Sequence, residues 1–259
     1  MQAIFSRPVG YREEDGYYDD LPTTVEYYEK EYLELHPNLH AEDADAKFAA
    51  LQWALDGPLK AIDISTVLDV GCGSGRVLSK TLSYLEQAKK DPVTGIGVDV
   101  SGGMLRSGVK DSRLVRLRAD CRDIPLQDNS ISLALCFDIV EHVSEDDQLT
   151  REISRLAQYA VFKVPLELSA YTWVRGGRKR LRRLQEKYGH VNHYDRRSLI
   201  NLLNADWKIA AENYVKIPGR NLLLDRFQTL LLTIGLSNVF GVLFGGFLIA
   251  VASSRKSTA

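Results

Sequence analysis

Cysteine is scarce: Cys72, Cys121 and Cys136 are the three in 259 residues, and no Cys-x-x-Cys pair occurs. An odd, widely spaced set excludes a disulfide framework and a readable zinc knuckle. Charge of one sign is also lacking. The 33 Lys plus Arg against 34 Asp plus Glu leave a net charge of −1, so the chain has no global basic field for non-specific nucleic-acid binding. From Met1 to Tyr18 there is no apolar run behind a basic start, which argues against a secretory signal and for a cytoplasmic protein. No repeat or low-complexity tract is present. What is there is ordinary globular material, 45% hydrophobic and 26% charged, and enough of it to bury a core without disulfides or a structural metal.

One stretch complicates the location. Phe227–Ser254 carries no charge and is long enough to span a bilayer. Its glycines and polar residues divide it into Leu230–Leu236 and Val239–Ala252, which favours a buried helix followed by a strand. Peripheral membrane contact through residues 222–252 is the second reading.

Along the chain, the Tyr- and acid-rich first 40 residues read as irregular structure with a short helix near Thr24–Leu35. Ala41–Leu55 has helical spacing, and Gly57-Pro58 stops it. An alternation follows. Strands are expected at Thr66–Val70, Gly95–Val100, Leu114–Ala119, Ile131–Phe137 and Tyr159–Val164. Helices are expected at Arg76–Gln87, Gly103–Gly108 and Glu145–Leu156 between them. A helix at Arg197–Leu203 and strands at Trp207–Ile217 and Phe247–Ala252 complete the series. The expectation is an α/β fold: a doubly wound, mostly parallel, seven-stranded sheet with an antiparallel last strand. An N-terminal helical cap (1–58) would precede a single domain (59–259) that contains an apolar insertion at about 218–246.

The informative segment is Asp69-Val70-Gly71-Cys72-Gly73-Ser74-Gly75-Arg76, where a strand ends and a helix begins. Glycines there allow a sharp turn and close approach to a ligand. A dinucleotide loop would need glycine at position 76, and a phosphate loop would need Gly-Lys-Ser/Thr. Neither is present, although a nicotinamide cofactor on the same fold stays open, as does a tight turn with no ligand. Asp99 ends the second strand, where a carboxylate can accept from both hydroxyls of a ribose. Asp120, after the third strand, can accept from a purine amine. Phe137-Asp138-Ile139-Val140-Glu141-His142 follows the fourth. All four segments fall at carboxyl ends of parallel strands, the edge where open sheets bind ligands.

Together, Asp69-x-Gly71-x-Gly73-x-Gly75, Asp99, Ala119-Asp120 with Pro125, and Glu141-His142-Val143 resemble the class I S-adenosylmethionine-dependent methyltransferases. The likeness is greatest to the small-molecule branch that includes ubiquinone-biosynthesis O-methyltransferases. It covers residues 60–170, and runs more loosely through His190-x-x-His193-Tyr194 to Ser198-Leu199. The resemblance implies S-adenosylmethionine as cofactor, with Asp69 and the turn Gly71, Cys72, Gly73 and Gly75 facing its amino-acid part. Asp99 would hold the ribose, Val100 and Met104 would flank the adenine, and Asp120 and Cys121 would meet its edge. Phe137 and Asp138 would line the sulfonium side.

The reaction implied is in-line methyl transfer to a small-molecule or lipid-linked acceptor, with His142 and Asp138 as candidate catalytic residues. Arg175, His190 and His193 are candidates on the substrate side. Imidazole titrates near neutrality and suits a general base, although a histidine there can simply cap the next helix. Asp138, Glu141 and His142 also have i, i+3, i+4 spacing that could collect a divalent ion, but no metal is expected. Arg175, Arg178, Lys179, Arg180, Arg182 and Arg183 read either as a solvated helix face or as a site for an anionic acceptor. A binding module that keeps the pocket while docking a partner or membrane is the non-enzymatic alternative.

Overall fold

The computed structural model describes residues 4–21, 43–217 and 222–256; the helix expected at Thr24–Leu35 lies outside them. The strands are β1 (Gly10–Arg12), β2 (Tyr17–Asp19), β3 (Thr66–Val70), β4 (Thr94–Asp99), β5 (Leu114–Arg118), β6 (Ile131–Phe137), β7 (Ala157–Pro165), β8 (Trp207–Val215) and β9 (Phe247–Ser254). The helices are α1 (Ala44–Asp56), α2 (Arg76–Lys89), α3 (Gly102–Ser107), α4 (Asp146–Leu156), α5 (Ala170–Val174), α6 (Arg178–Tyr188), α7 (Arg196–Leu203), α8 (Leu222–Thr233) and α9 (Ser237–Phe244).

The strands form one sheet in the order β1-β2-β5-β4-β3-β6-β7-β9-β8. Neighbours from β2 outward to β7 run parallel, and β9 lies antiparallel between β7 and β8. Period-two side-chain alternation sends Leu68 and Val70 of β3 into one apolar layer and Val67 into the other. Both layers are closed over by helices, which is why the central strands read as unbroken apolar runs. The strands wind outward from β3 through β4 and β5 on one side and from β6 through β7 on the other, so the topological switch point lies at the carboxyl ends of β3 and β6.

Two expectations change. The sheet has nine strands among the described residues, because the N-terminal segment supplies an antiparallel hairpin instead of irregular structure. β2 adds parallel to β5, and Asp19 pairs with Arg118 at 3.2 Å, both side chains buried. Asp19 also pairs with Arg12 at 2.6 Å, so two guanidiniums hold its buried carboxylate in this docked position. The apolar stretch before β9 forms two helices rather than one buried helix, and most of their large apolar side chains are exposed. No described helix is long and apolar enough to cross a membrane.

Candidate active site

The glycine loop is pinned by its own backbone. The amides of Gly71 and Cys72 both donate to the Val98 carbonyl, at 2.8 and 3.0 Å, and Gly75 N–H donates to Cys72 O at 2.9 Å. Gly71, Gly73 and Gly75 have φ of +73°, +52° and +72°, a region L side chains avoid. The cradle closes around bare backbone. A Cβ at Gly71 would lie 3.0 Å from Ile139 Cδ1, and one at Gly73 would lie 3.1 Å from Met104 Cε.

Asp99 ties this loop to the next one. Its Oδ2 accepts from Gly73 N–H at 2.8 Å and its Oδ1 from Ser101 N–H at 2.9 Å. Ser101 in turn caps α3 by accepting from Met104 N–H, which fixes the buried Met104 beside the loop. Arg118 Nε donates to the Val100 carbonyl at 3.0 Å, so the N-terminal hairpin and the turn after β4 share one guanidinium. Asp69 is buried on β3, and burial pushes its carboxyl up to about 7 against the pull of Lys47.

Other expected cofactor residues have partners within the protein. The carboxylate of Asp120 is gripped by the Arg122 guanidinium, with Nε–Oδ1 at 3.0 Å and an NH2–Oδ2 pair at 2.6 Å. Burial pushes the Cys121 thiol up to about 12 and the Cys72 thiol well above its ordinary value, so both are neutral. Phe137 is buried in the layer beneath α1.

A second polar cluster gathers where β6 ends. Asp138 takes φ +54°, rare for a non-glycine residue. It is held between Lys47 of α1, at 3.0 Å, and Lys163 of β7. Burial alone would raise its pKa; the two lysines more than offset that and hold it below its usual range. Asp138, a candidate catalytic residue from the sequence, is thus ionised and bound to two cations. Beyond a 3-10 turn over Val140–His142, the rings of His142 and His190 meet edge to face at 4.8 Å. Burial, and then His190, push His142 down to about 4, so it is neutral at physiological pH.

The Glu167 carboxylate is held below its usual range by two imidazoles against the effect of burial, and accepts from both, His190 Nδ1–H at 2.7 Å and His193 Nδ1–H at 2.5 Å. Of the histidines expected on the substrate side, His190 is thus brought beside His142, and Glu167 links His193 to His190. The backbone joins in: Val191 and Asn192 N–H both donate to Glu141 O, at 2.9 and 3.1 Å. Glu141 is buried, and its Oε2 has no hydrogen-bond partner. Single donor atoms from Glu141, His142 and His190 lie within 4.8 Å of one another, the spacing a divalent ion would need; Asp138 does not join them. Arg175 lies apart, exposed, with its guanidinium 5.9 Å from the Tyr171 ring.

Lys47, Lys163 and Glu167 were not singled out from the sequence. Lys163 had a signal, a lone cation within the apolar strand Ala160–Pro165. Lys47 and Glu167 gave none, because their partners are distant in the chain.

The first cluster has features that S-adenosylmethionine would need: a backbone cradle at the glycine turn, a carboxylate at the end of β4 and a buried carboxyl on β3. Residues 68–159 match the family described as Methyltransferase domain. No curated protein matches the sequence. Among solved structures, a SAM-dependent methyltransferase from Archaeoglobus fulgidus is 17% identical over 86% of this chain and 99% of its own, with a TM-score of 0.55. A chain from the complex of the Haloferax volcanii Trm112 methyltransferase activator with a methyltransferase is 15% identical, covering 95% of this chain and 99% of its own at a TM-score of 0.55. Phosphoethanolamine N-methyltransferase 2 of Haemonchus contortus, with phosphomonomethylethanolamine and S-adenosylhomocysteine, is 14% identical over 81% of this chain and 52% of its own at 0.52. Identities this low carry the fold alone. The match to the methyltransferase domain runs through the glycine loop, Asp99 and the end of β6, the same sheet edge on which the polar groups above converge.

Proposed function

We propose that the enzyme methylates a hydroxyl on an anionic small-molecule or lipid-linked acceptor by in-line displacement, with His142 as general base. The observation that carries this reading is the imidazole cluster at the end of β6, on the sheet edge that also bears the glycine loop. The chemistry is that of the small-molecule branch that includes ubiquinone-biosynthesis O-methyltransferases. When bound, S-adenosylmethionine supplies an electrophilic methyl on a positively charged sulfur.

The chain's own residues orient the partners and move one proton. The loop Gly71–Gly75 and Asp99 fix the donor, and alignment of donor and acceptor is the main source of rate. His142, neutral at physiological pH, accepts the hydroxyl proton as the new C–O bond forms and the methyl–sulfur bond breaks; it is a weak base, and its contribution lies in its position. Glu167, bonded to both His190 and His193, holds the His190 ring in a fixed orientation beside His142 and acts as a positioning residue. Asp138 spends its charge on Lys47 and Lys163, and so keeps two cations near the sheet edge for an anionic acceptor. Arg175 stands at the outer end of α5, where it can meet the same anionic group on entry.

The test has two stages. Metabolite extracts incubated with labelled S-adenosylmethionine, with and without the protein, reveal a species one methyl heavier, which is then assayed with His142→Gln. The expected result is a fall in kcat of about 100-fold with the affinity for S-adenosylhomocysteine unchanged. No new methylated species, or an unchanged kcat in the variant, overturns the assignment.

A further inference from the structure

Helices α8 and α9 bury little of what they carry. Leu223, Phe227 and Leu230 are exposed at four- and three-residue intervals on one face of α8, and the exposed Ile234 follows directly on its end. Val239 and Val242 are exposed on α9. From Phe227 to Ser254 no charge interrupts this surface. The inward side is specific: Leu231 and Phe240 are buried in the core. The hairpin is therefore held firmly, with an apolar face turned to water.

A second feature adjoins it. None of the side chains of α6 is buried, and Arg178, Lys179, Arg182, Arg183 and Lys187 are exposed on it against a single acid, Glu186. In a chain of net charge −1 this is a strong local excess. The short helix α5 connects the two, because it packs on α9 and leads directly into α6. It carries Trp173 and Val174, and Val174 is 84% exposed.

We propose that α5, α6, α8 and α9 form a docking face for an anionic lipid bilayer. The apolar sides of α8 and α9, with Trp173, enter the headgroup–acyl boundary, and the basic side chains of α6 lie at the level of the anionic headgroups. Charge complementarity selects this occupant. An apolar protein partner would leave five exposed cations on α6 unexplained. A nucleic acid would leave the apolar faces in water. A second copy docked about a two-fold axis would bring like-charged α6 helices together. Reversible attachment to membranes takes two signals, apolar insertion and basic attraction, and this face carries both. Aromatic side chains such as Trp173 favour the same depth. The inference rests on surface chemistry and does not depend on which acceptor is methylated.

The test is flotation of the full chain with phosphatidylcholine vesicles and with mixed phosphatidylcholine–phosphatidylglycerol vesicles, at low and high salt. Expected is strong partitioning to the mixed vesicles, weaker at high salt, and little to the neutral ones. Charge reversal at Arg178, Lys179 and Arg183 lowers partitioning about 100-fold or more, and Leu223→Glu with Val242→Glu abolishes it. S-adenosylhomocysteine affinity stays at the wild-type level in both variants, which shows that they are folded. No partitioning of the wild-type chain overturns the proposal. So does partitioning that both variants retain. A concentration-dependent dimer dissolved by Val242→Glu would assign the face to a second copy instead, and equal binding to a polyanion such as heparin after Leu223→Glu would reduce it to charge alone.

Discussion

Asp99 offers the sharpest test of the cofactor site. Both of its oxygens accept backbone amides in this structure, from Gly73 at 2.8 Å and Ser101 at 2.9 Å, so its position on the crevice edge is fixed from two loops. The ribose-binding role that the resemblance implies for Asp99 asks its carboxylate to accept from hydroxyls as well. A hydrogen bond to a charged group contributes about 1.5–3 kcal/mol. Two such bonds lost in Asp99→Ala, less the water that fills the gap, come to about 3 kcal/mol, or about 150-fold in Kd. Asp99→Asn keeps one acceptor and the shape of the side chain, and should lose about tenfold. Titration calorimetry with S-adenosylhomocysteine reads both values, and thermal unfolding shows whether each variant is folded. A folded Asp99→Ala that binds within threefold of wild type would refute the diol-binding role, and with it the placement of the ribose along β4.

Other outcomes follow from neighbouring groups. Gly71→Ala places a methyl at φ +73°, 3.0 Å from Ile139 Cδ1; it should cost about 1–2 kcal/mol of stability by chemical denaturation and weaken cofactor binding. Burial raises the folded Asp69 carboxyl to about 7, above its unfolded value, so the folded state holds the proton longer. Ligand-free stability should therefore fall as pH rises from about 4 to about 7 and level off above, read as Tm against pH. The cofactor's ammonium favours ionised Asp69, so affinity for S-adenosylhomocysteine should rise over the same range, with proton release seen by calorimetry in buffers of different ionisation enthalpy. Lys163→Met leaves Asp138 with Lys47 alone and should destabilise the fold by about 2–3 kcal/mol in urea unfolding. Glu167→Gln should lower kcat about tenfold without changing cofactor affinity, whereas a merely structural role for Glu167 would move Tm and leave kcat untouched.

How much of this was legible depended on the range of the interactions involved. β3 and β6 matched their expected bounds, because each is a short apolar run closed by glycine or by an acid at its end. The glycine turn was equally readable, since its spacing is its geometry. The N-terminal hairpin was not. Tyr17-Tyr18-Asp19 has no apolar alternation, and its register comes from Arg118, far along the chain. The partners of Asp138, Lys47 on α1 and Lys163 on β7, lie far from it in the chain, so its ion pairs could not be read from spacing. The stretch before β9 misled in the opposite sense. Apolar content reads as burial, yet the hairpin of α8 and α9 carries more apolar surface than the sheet beneath it can cover.

The place of β9 also constrains how the molecule is assembled. β8 pairs with β9 and with no other described strand, and β9 fills the slot beside β7. During vectorial synthesis β8 leaves the ribosome before its neighbour exists and must wait, unpaired, for residues 247–254. A truncation ahead of Phe247 thus removes two strands from the sheet and bares the edge of β7, an aggregation hazard out of proportion to the few residues lost.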